Sequence, residues 1–347
     1  MLRNIKELSL RELEELLEQW RQPRFHAVQI FSWIYQKGVL SFEEMSDLAL
    51  PLRNKLKENF YLFDLKLLKA LGSTDGTKKF LFALEGVNLV EAVIIPTEGR
   101  VTGCISTQVG CKFSCAFCAS GMLGFKRSLS TAEILDEVLY LKSHSERHKL
   151  THVVFMGTGE PLDNYDNVIK AIRIINTPQG LNIGARRITI STCGIIPGIE
   201  RMSQEDLQIE LSISLHAPDD KTRSALMPIN RKYPLKELIK ACHKYVERTN
   251  RQITFEYILI QGVNCQAQKA KELARLLKGL NCKVNIIIYN AIKELAFRPP
   301  GKLELLFFKD TLIKSGVHCI IRKERGGDID AACGQLRLLH TKGKYEK

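Results

Sequence analysis

Cys111, Cys115 and Cys118, in the run Cys-Lys-Phe-Ser-Cys-Ala-Phe-Cys, hold a C-x3-C-x2-C spacing. Three thiolates on one short loop can bind three irons of a four-iron cluster and leave the remaining iron without a protein ligand. That open iron matters, because a substrate can coordinate there directly. Ten cysteines in 347 residues would give this triple by chance about 0.008 times per chain. A zinc knuckle is the competing reading. A closed zinc site takes four N or S ligands, and the chain has no second C-x2-C pair.

Other polar groups stand where apolar runs end. Phe155-Met-Gly157-Thr158-Gly159-Glu160-Pro161-Leu162 is a glycine-rich turn closed by an acid and a proline. Glycines let a ligand approach the backbone, and a carboxylate can accept from an amine or a ribose hydroxyl. The same residues suit an ordinary strand-to-helix turn. Ser191-Thr192 follows Ile188-Thr-Ile190, Ser214-Leu215-His216 follows Glu210-Leu-Ser-Ile213, and Tyr289-Asn290 follows Val284-Asn-Ile-Ile-Ile288. Cys333 lies in Gly326-Gly-Asp328-Ile-Asp330-Ala-Ala-Cys333-Gly-Gln-Leu336 and fits no cluster spacing. It can be read as a nucleophile, a redox thiol or a buried inert cysteine, and Cys104 poses the same choice. Cys193, Cys242, Cys265, Cys282 and Cys319 fall in helix or strand patterns and read as packing.

The elements that must position these groups follow from periodicity. Ser9 is a candidate N-cap for a helix whose leucines recur at helical spacing. A second helix is predicted over Val28 to Gln36, with Phe25, Ile30, Trp33 and Ile34 as its apolar face, and a third over Leu50 to Phe60. Two β-rich runs between Thr77 and Pro96, around Glu85-Gly86, predict a hairpin. From Val101 onward strand patterns begin near Val101, His152, Arg187, Gln208, Gln252, Lys283 and Val317. Helical patterns near Thr131, Asn164, Leu235, Ala267 and Lys302 separate most of them. Strand and helix alternating about six times predicts a parallel sheet curling into a full or partial barrel. Its site is then expected at the C-terminal ends of the strands. The cysteine loop fits, following the first strand and preceding a helix that Ser130 and Glu133 would open as a capping box. The division expected is a helical region 1–62, a hairpin connector 63–97 and a barrel 98–347.

Composition sets the class. Hydrophobic residues at 45% and charged residues at 26% are globular values. No apolar run approaches a membrane span, and the opening Met1-Leu-Arg-Asn-Ile-Lys-Glu lacks the apolar core of a secretion signal, so a cytoplasmic protein is expected. The net charge of +13 suggests a polyanionic partner, since such charge steers binding to phosphate backbones.

Taken together, these motifs make the chain resemble radical S-adenosylmethionine (SAM) enzymes, and within them the RlmN/Cfr family of RNA adenine methyltransferases. The resemblance rests on Cys104-Ile-Ser-Thr-Gln-Val-Gly-Cys111, the cysteine triple, Gly157-Thr-Gly-Glu-Pro161, Ser191-Thr192, Ser214-Leu-His216-Ala-Pro218, Met227-Pro-Ile-Asn-Arg231 and the Asp328-to-Leu336 segment. It implies an α/β fold, a radical SAM partial (β/α)6 barrel with a small helical RNA-binding accessory domain and a β-hairpin connector. It implies one [4Fe-4S] cluster per chain on Cys111, Cys115 and Cys118, and two S-adenosylmethionine molecules per turnover. Gly159, Glu160, Ser191, Ser214, Leu215, His216 and Asn290 would contact S-adenosylmethionine. Cys333 would carry a methyl group as a thioether, and a 5′-deoxyadenosyl radical would take hydrogen from it. Cys104 would remove the proton from the adenine carbon, with a transient Cys104–Cys333 disulfide on release. Glu91, thirteen residues before Cys104, aligns with an acid regarded in the family as a proton acceptor; a hairpin salt bridge is its alternative.

The implied substrate is adenine 2503 of 23S rRNA, methylated at C2, with adenine 37 of tRNA as a second target. A flavodoxin or ferredoxin would supply electrons to a monomer. Pro161 favours the C2 branch over the resistance-type C8 branch. Thr158, where the family usually has Met, and Ile288 and Ala291, where it has prolines, depart from the pattern. A non-catalytic iron–sulfur RNA-binding protein is the reading from a different class.

Overall fold

Ser9 caps the first long helix as its side chain predicts, accepting from Glu12 N while Glu12 Oε2 accepts from Ser9 N at 2.7 Å. The coordinates are a computed structural model in which residues 2–62, 65–86, 88–122, 124–145, 149–292 and 295–329 are described. The N-terminal region runs β1 (Arg3–Asn4), α1 (Leu10–Gln19), α2 (Phe25–Phe31), α3 (Leu50–Asn59) and β2 (Phe60–Tyr61), with β1 and β2 paired in parallel so that its two ends meet. Helix α2 begins before Val28 and continues as a wider π-helical turn over Ser32–Lys37, stopped by Gly38 at φ 72°. Ile30 and Ile34 are buried as expected, but Phe25 is 59% exposed. Position 25 opens the helix, ahead of the stripe that faces the core.

The expected hairpin is part of a three-stranded antiparallel ribbon, β3 (Lys66–Gly72), β4 (Lys78–Leu84) and β5 (Asn88–Thr97). Strand β3 gives no apolar alternation because it is a largely exposed edge strand carrying Lys66 and Lys69, a composition that discourages edge-to-edge pairing. Then come β6 (Arg100–Cys104), β7 (Gln108–Gly110), α4 (Ala119–Met122), β8 (Phe125–Ser128) and α5 (Thr131–His144), which Ser130 and Glu133 open as a capping box. Next are β9 (His152–Phe155), α6 (Tyr165–Asn176), β10 (Ile188–Thr192), α7 (Ile196–Met202), β11 (Glu210–Ser214), α8 (Asp220–Leu226) and α9 (Leu235–Thr249). The chain continues with β12 (Ile253–Leu259), α10 (Ala267–Leu276), β13 (Cys282–Ile288), α11 (Lys302–Lys314) and β14 (Cys319–Ile321). Helices α7 and α8 are too short to show a periodic stripe in the sequence.

One ten-stranded sheet results, in the order β14-β13-β12-β11-β10-β9-β6-β5-β4-β3, parallel from β14 to β6 and antiparallel from there to β3. It is the α/β partial barrel that the alternation predicts, open at both edges. Alternation along the strands sorts its faces. Val153, Phe155, Ile190, Leu211, Phe255 and Val284 join the main core under the helices. Val154, Thr189, Ser212, Glu256 and Asn285 alternate with them on the inner face. That core also contains Leu13, Leu17, Ile30 and Leu56 of the N-terminal helices. The N-terminal helical region meets the barrel through the buried ion pair Lys6–Asp136, through Ala132 N donating to Glu7 Oε1 at 2.9 Å, and through Lys142 Nζ donating to Tyr35 O at 2.8 Å.

Candidate active site

The cysteine loop is pinched at its base by a small antiparallel ladder, β7 against β8, which the sequence does not announce. Gly110, at φ 83°, is required there: a Cβ would stand 1.7 Å from Gly124 O. Cys111 N donates to Gly124 O at 3.2 Å, Cys118 N to Cys115 O at 3.0 Å, and Ala116 N to Leu226 O at 2.8 Å. The loop is thereby folded on itself and tied to the end of α8. Phe113, Cys115 and Phe117 pack with Cys193, Met227, Ile229, Ile260 and Tyr289 in a separate apolar cluster at the strand ends.

Gly157-Thr158-Gly159-Glu160 lies against the start of this loop. Thr107 N and Gln108 N donate to Thr158 O at 2.9 and 3.2 Å, and Glu160 N donates to Gln108 Oε1 at 3.0 Å. The glycines serve this contact: a Cβ on Gly157 would stand 2.6 Å from Ile105 O, and one on Gly159, at φ 107°, 2.6 Å from Gln108 Cβ. The buried Glu160 carboxylate accepts from Leu162 N at 3.0 Å and Cys193 N at 2.7 Å. Burial, opposed by those N–H groups, raises its pKa. Its side chain thus joins the ends of β9 and β10, a partner its place in the sequence does not suggest.

The other predicted polar sets come to the same edge because β10, β11 and β13 run parallel. Ser191 is half-buried and registers with Ser212 on the inner face; Ser214 registers with Glu256. Leu215 points into the main core, and its backbone is held as well, its N donating to Glu256 O at 3.0 Å and its O accepting from Ala217 N at 2.8 Å and Arg223 Nε at 3.1 Å. His216, at φ 60°, accepts from Ile258 N through Nδ1 at 3.0 Å and meets Phe117 edge-to-face at 4.8 Å. Burial, with Arg223 nearby, lowers its pKa to about 3, so it is a neutral ring. Asn290 is half-buried just beyond β13.

Two residues that hold this rim carry no motif of their own. Arg223, fully buried, donates from Nε to Leu215 O (3.1 Å), from Nη1 to Asn230 Oδ1 (2.8 Å), and from Nη2 to Cys193 O (2.8 Å) and Ser214 O (3.1 Å). Asn264 donates to His216 O at 2.8 Å and Ile258 O at 2.7 Å, and accepts from Ile260 N at 2.8 Å. A signal existed for each: a charge on a short helix between a strand and Met227-Pro-Ile-Asn-Arg231, and Gly262-Val-Asn264 closing a strand.

Cys104 ends β6 on the inner face, 7% exposed among Val93, Val154, Ile95 and Met156. Glu91 is two residues from its register partner Val93 and so shares that face. Lys79 Nζ lies 3.0 Å from Glu91 Oε2, both side chains buried, and Ser106 Oγ donates to Glu91 O at 2.7 Å. Glu91 therefore shares Cys104's face of the sheet and belongs to the hairpin ion pair. Cys333 falls outside the described residues, and none of the nine described cysteines is joined in a disulfide.

A parallel sheet with a three-thiol loop at its C-terminal edge defines the radical SAM class, and residues 105–280 match the Radical SAM superfamily. Residues 3–62 match the ribosomal RNA large subunit methyltransferase N-terminal domain. The chain is 47% identical over 340 residues to a probable dual-specificity RNA methyltransferase RlmN of Caldanaerobacter subterraneus subsp. tengcongensis, covering 98% of this chain and 99% of that one. It is 46% identical over 345 residues to the protein so named in Clostridium perfringens, covering 99% of each. A crystal structure of a radical SAM methyltransferase from Sphaerobacter thermophilus superposes with a TM-score of 0.92 at 41% identity, covering 96% of this chain and 98% of that one. The chain belongs to the RlmN family of radical SAM RNA methyltransferases.

Membership implies a [4Fe-4S] cluster and S-adenosylmethionine, and the residues present fit them. Among the described residues no three Cys, His, Asp or Glu converge on a single metal ion; a cluster's thiolates each take a different iron and need not. Burial, then repulsion from the neighbouring thiolates, pushes Cys115 well up, and Cys111, also buried, rises to about 12 with Cys118 contributing. A cationic cluster reverses that balance and holds all three as thiolates. Four buried oxygens on the segments around the loop, Thr107 Oγ1, Thr158 Oγ1, Ser120 Oγ and Tyr289 Oη, have no hydrogen-bond partner within the described residues. No helix of the described residues is long and apolar enough to cross a membrane.

Proposed function

We propose that this protein methylates C2 of adenine 2503 in 23S rRNA and C2 of adenine 37 in tRNAs. The observation that carries the reading is the position of Cys104: at the end of β6 on the sheet's inner face, the face that also bears the buried Lys79–Glu91 pair, and leading by seven residues into the thiol loop. A structural cluster has no use for a cysteine there. The relatives' description as dual-specificity RNA methyltransferases supports two classes of RNA substrate.

In this reading Cys111, Cys115 and Cys118 hold one cluster per chain, which when bound supplies the electron that cleaves S-adenosylmethionine. The protein contributes position and proton handling. Gly159 offers backbone, Ser191, Ser214 and Asn290 offer side chains, and Glu160, Leu215 and His216 keep the rim in shape around S-adenosylmethionine. Cys333 accepts a methyl group from one of the two S-adenosylmethionine molecules used per turnover and delivers its carbon to the adenine. Cys104 takes the proton from that adenine carbon and then attacks the Cys333 sulfur, so that the Cys333–carbon bond breaks, its electron pair goes to the transferred carbon, which takes a proton, and a Cys104–Cys333 disulfide is left. Glu91, held by Lys79, is the alternative proton acceptor. Residues 1–62 bind RNA, 63–97 connect, and 98–347 form the catalytic barrel. A flavodoxin or ferredoxin reduces the cluster, and the protein works as a cytoplasmic monomer.

The test is anaerobic incubation of cluster-reconstituted protein with methyl-labelled S-adenosylmethionine, a reductant and unmodified 23S rRNA or tRNA, followed by nucleoside mass spectrometry. Label in 2-methyladenosine is expected from both RNAs. Label in 8-methyladenosine would move the protein to the C8 branch. Retained methyl transfer by Cys333→Ala would overturn the mechanism.

A further inference from the structure

Three guanidiniums enter the inner face of the barrel from three strands. Arg100 opens β6, and its Nε donates to Thr102 Oγ1 at 2.9 Å. Thr102 registers with His152 at the start of β9. Arg187 immediately precedes β10, where Ile188 registers with Val153, so it stands opposite His152. Burial, then the charges of Arg100 and Arg187, lowers the His152 pKa to about 4, so the ring between them is neutral. Arg322 comes from the far edge of the parallel strands, just past β14, and its Nη1 reaches the Met156 sulfur beyond the end of β9 at 3.7 Å. Burial, then the charge of Arg322, lowers the pKa of Arg100. Among the described residues none of the three arginines is in an ion pair. The carboxyl groups of that face are committed elsewhere, Glu91 to Lys79 and Glu210 to Arg251. Glu256, 3% exposed, accepts from Asn285 Nδ2 at 3.0 Å, and burial raises its pKa despite Arg322.

Like charges gathered without a counter-charge repel, and an anion among them relieves that cost. We propose that Arg100, Arg187 and Arg322 form a phosphodiester site on the inner face of the barrel that holds the backbone of the RNA substrate. It rests on the reading that RNA is the substrate. Planar guanidiniums present paired donors to phosphate oxygens, which an ammonium does not. The placement suits a nucleotide whose base is turned toward Cys104. Arg100 stands four residues before Cys104 on the same face of β6, about 13 Å along a strand. Met156, which Arg322 touches, packs against Val154 and Cys104. The inner face thus carries apolar groups and a thiol where the base would lie and cations where its flanking phosphates would lie. The site is built from β6, β10 and β14, outside residues 1–62, so its contribution to RNA binding can be measured with that region intact.

The experiment uses the full-length, cluster-reconstituted protein and a fluorescein-labelled RNA hairpin with an adenine in its loop. Fluorescence anisotropy gives the binding constants of the parent, Arg100→Gln, Arg187→Gln, Arg322→Gln, Arg100→Lys and Lys240→Gln over a range of salt concentrations. Lys240, an exposed cation of α9, controls for net charge. Each phosphate contact adds about 0.7 to 0.9 to the slope of log binding constant against log salt. Each glutamine variant of the three arginines should lower the slope by that amount and weaken binding about 5- to 8-fold at about 0.1 M salt. Arg100→Lys keeps the charge and should keep the slope, and Lys240→Gln should match the parent in both. Unfolding temperatures should stay at the parent's value, since no ion pair is broken. Parent-like slopes in all three glutamine variants, or losses no larger than that of Lys240→Gln, would overturn the site. So would weaker binding that comes with a lower unfolding temperature and an unchanged slope, which marks a fold contact. If the parent itself does not bind the hairpin, the RNA reading fails and the site with it; a binding parent with unchanged slopes in the variants fails the site alone.

Discussion

Arg223→Met is the substitution in which the structure commits itself most. The guanidinium serves four acceptors from three segments: the Cys193 carbonyl just past β10, the adjacent carbonyls of Ser214 and Leu215 at the end of β11, and Asn230 beyond α8. Methionine fills much of the volume and supplies no donor. Each acceptor left buried without a partner costs about 1–3 kcal/mol. Leu215 O keeps Ala217 N at 2.8 Å, so three acceptors bear the loss, giving roughly 5 kcal/mol gross. The substitution also removes a buried cation whose desolvation opposes folding, which returns about 2 kcal/mol and leaves about 3 kcal/mol net. For a chain of this size that is a fall of about 4 °C in Tm. The functional loss should be larger, because Ser214 and Leu215 lie on the rim, and a displacement of about 1 Å at reacting groups costs on the order of 100-fold. The assays are thermal unfolding of the cluster-free chain by circular dichroism and S-adenosylmethionine cleavage by the reconstituted protein. Arg223→Lys should recover only a small part of either, since one ammonium cannot span acceptors on three segments. If Arg223→Met unfolds within about 1 °C of the parent and cleaves S-adenosylmethionine normally, the rim does not depend on this residue and the reasoning is wrong.

Gly159→Ala should lower the urea midpoint by the equivalent of about 2 kcal/mol or more, because the added Cβ meets Gln108 Cβ at 2.6 Å and φ is 107°. Cys111→Ala should reduce iron content per chain after reconstitution, whereas Cys242→Ala, a buried thiol of α9, should leave it unchanged; equal iron in both would remove Cys111 from the ligand set. His216 should stay neutral in NMR titrations down to about pH 3. Its unfolded form takes a proton below about pH 6.5 and its folded form does not, so it costs stability as pH falls through that window. Non-titrating His216→Gln lacks this slope, so the parent's stability relative to the variant should shrink by about 2 kcal/mol between pH 7 and 5. A constant difference in chemical denaturation at the two pH values would contradict the assignment.

The sequence by itself determined the cysteine spacing, the strand and helix alternation, and the capping boxes at Ser9 and Ser130, because each depends on residues a few positions apart. It also marked which strand ends carry polar residues, since an apolar run that stops on Ser-Thr or Ser-Leu-His is visible without its neighbours. What those residues touch was settled by tertiary structure. Glu160 gains a partner in Cys193 N only when β10 arrives beside β9. Gly157 and Gly159 owe their missing Cβ to the chain at 105–108, which stands where a Cβ would be. Arg223, a charge on a short helix with no motif around it, is the fully buried centre of the rim. Local pattern specifies a group and its secondary structure; in a parallel sheet, its partners come from strands and loops that are distant in sequence and adjacent only once the crossovers have closed.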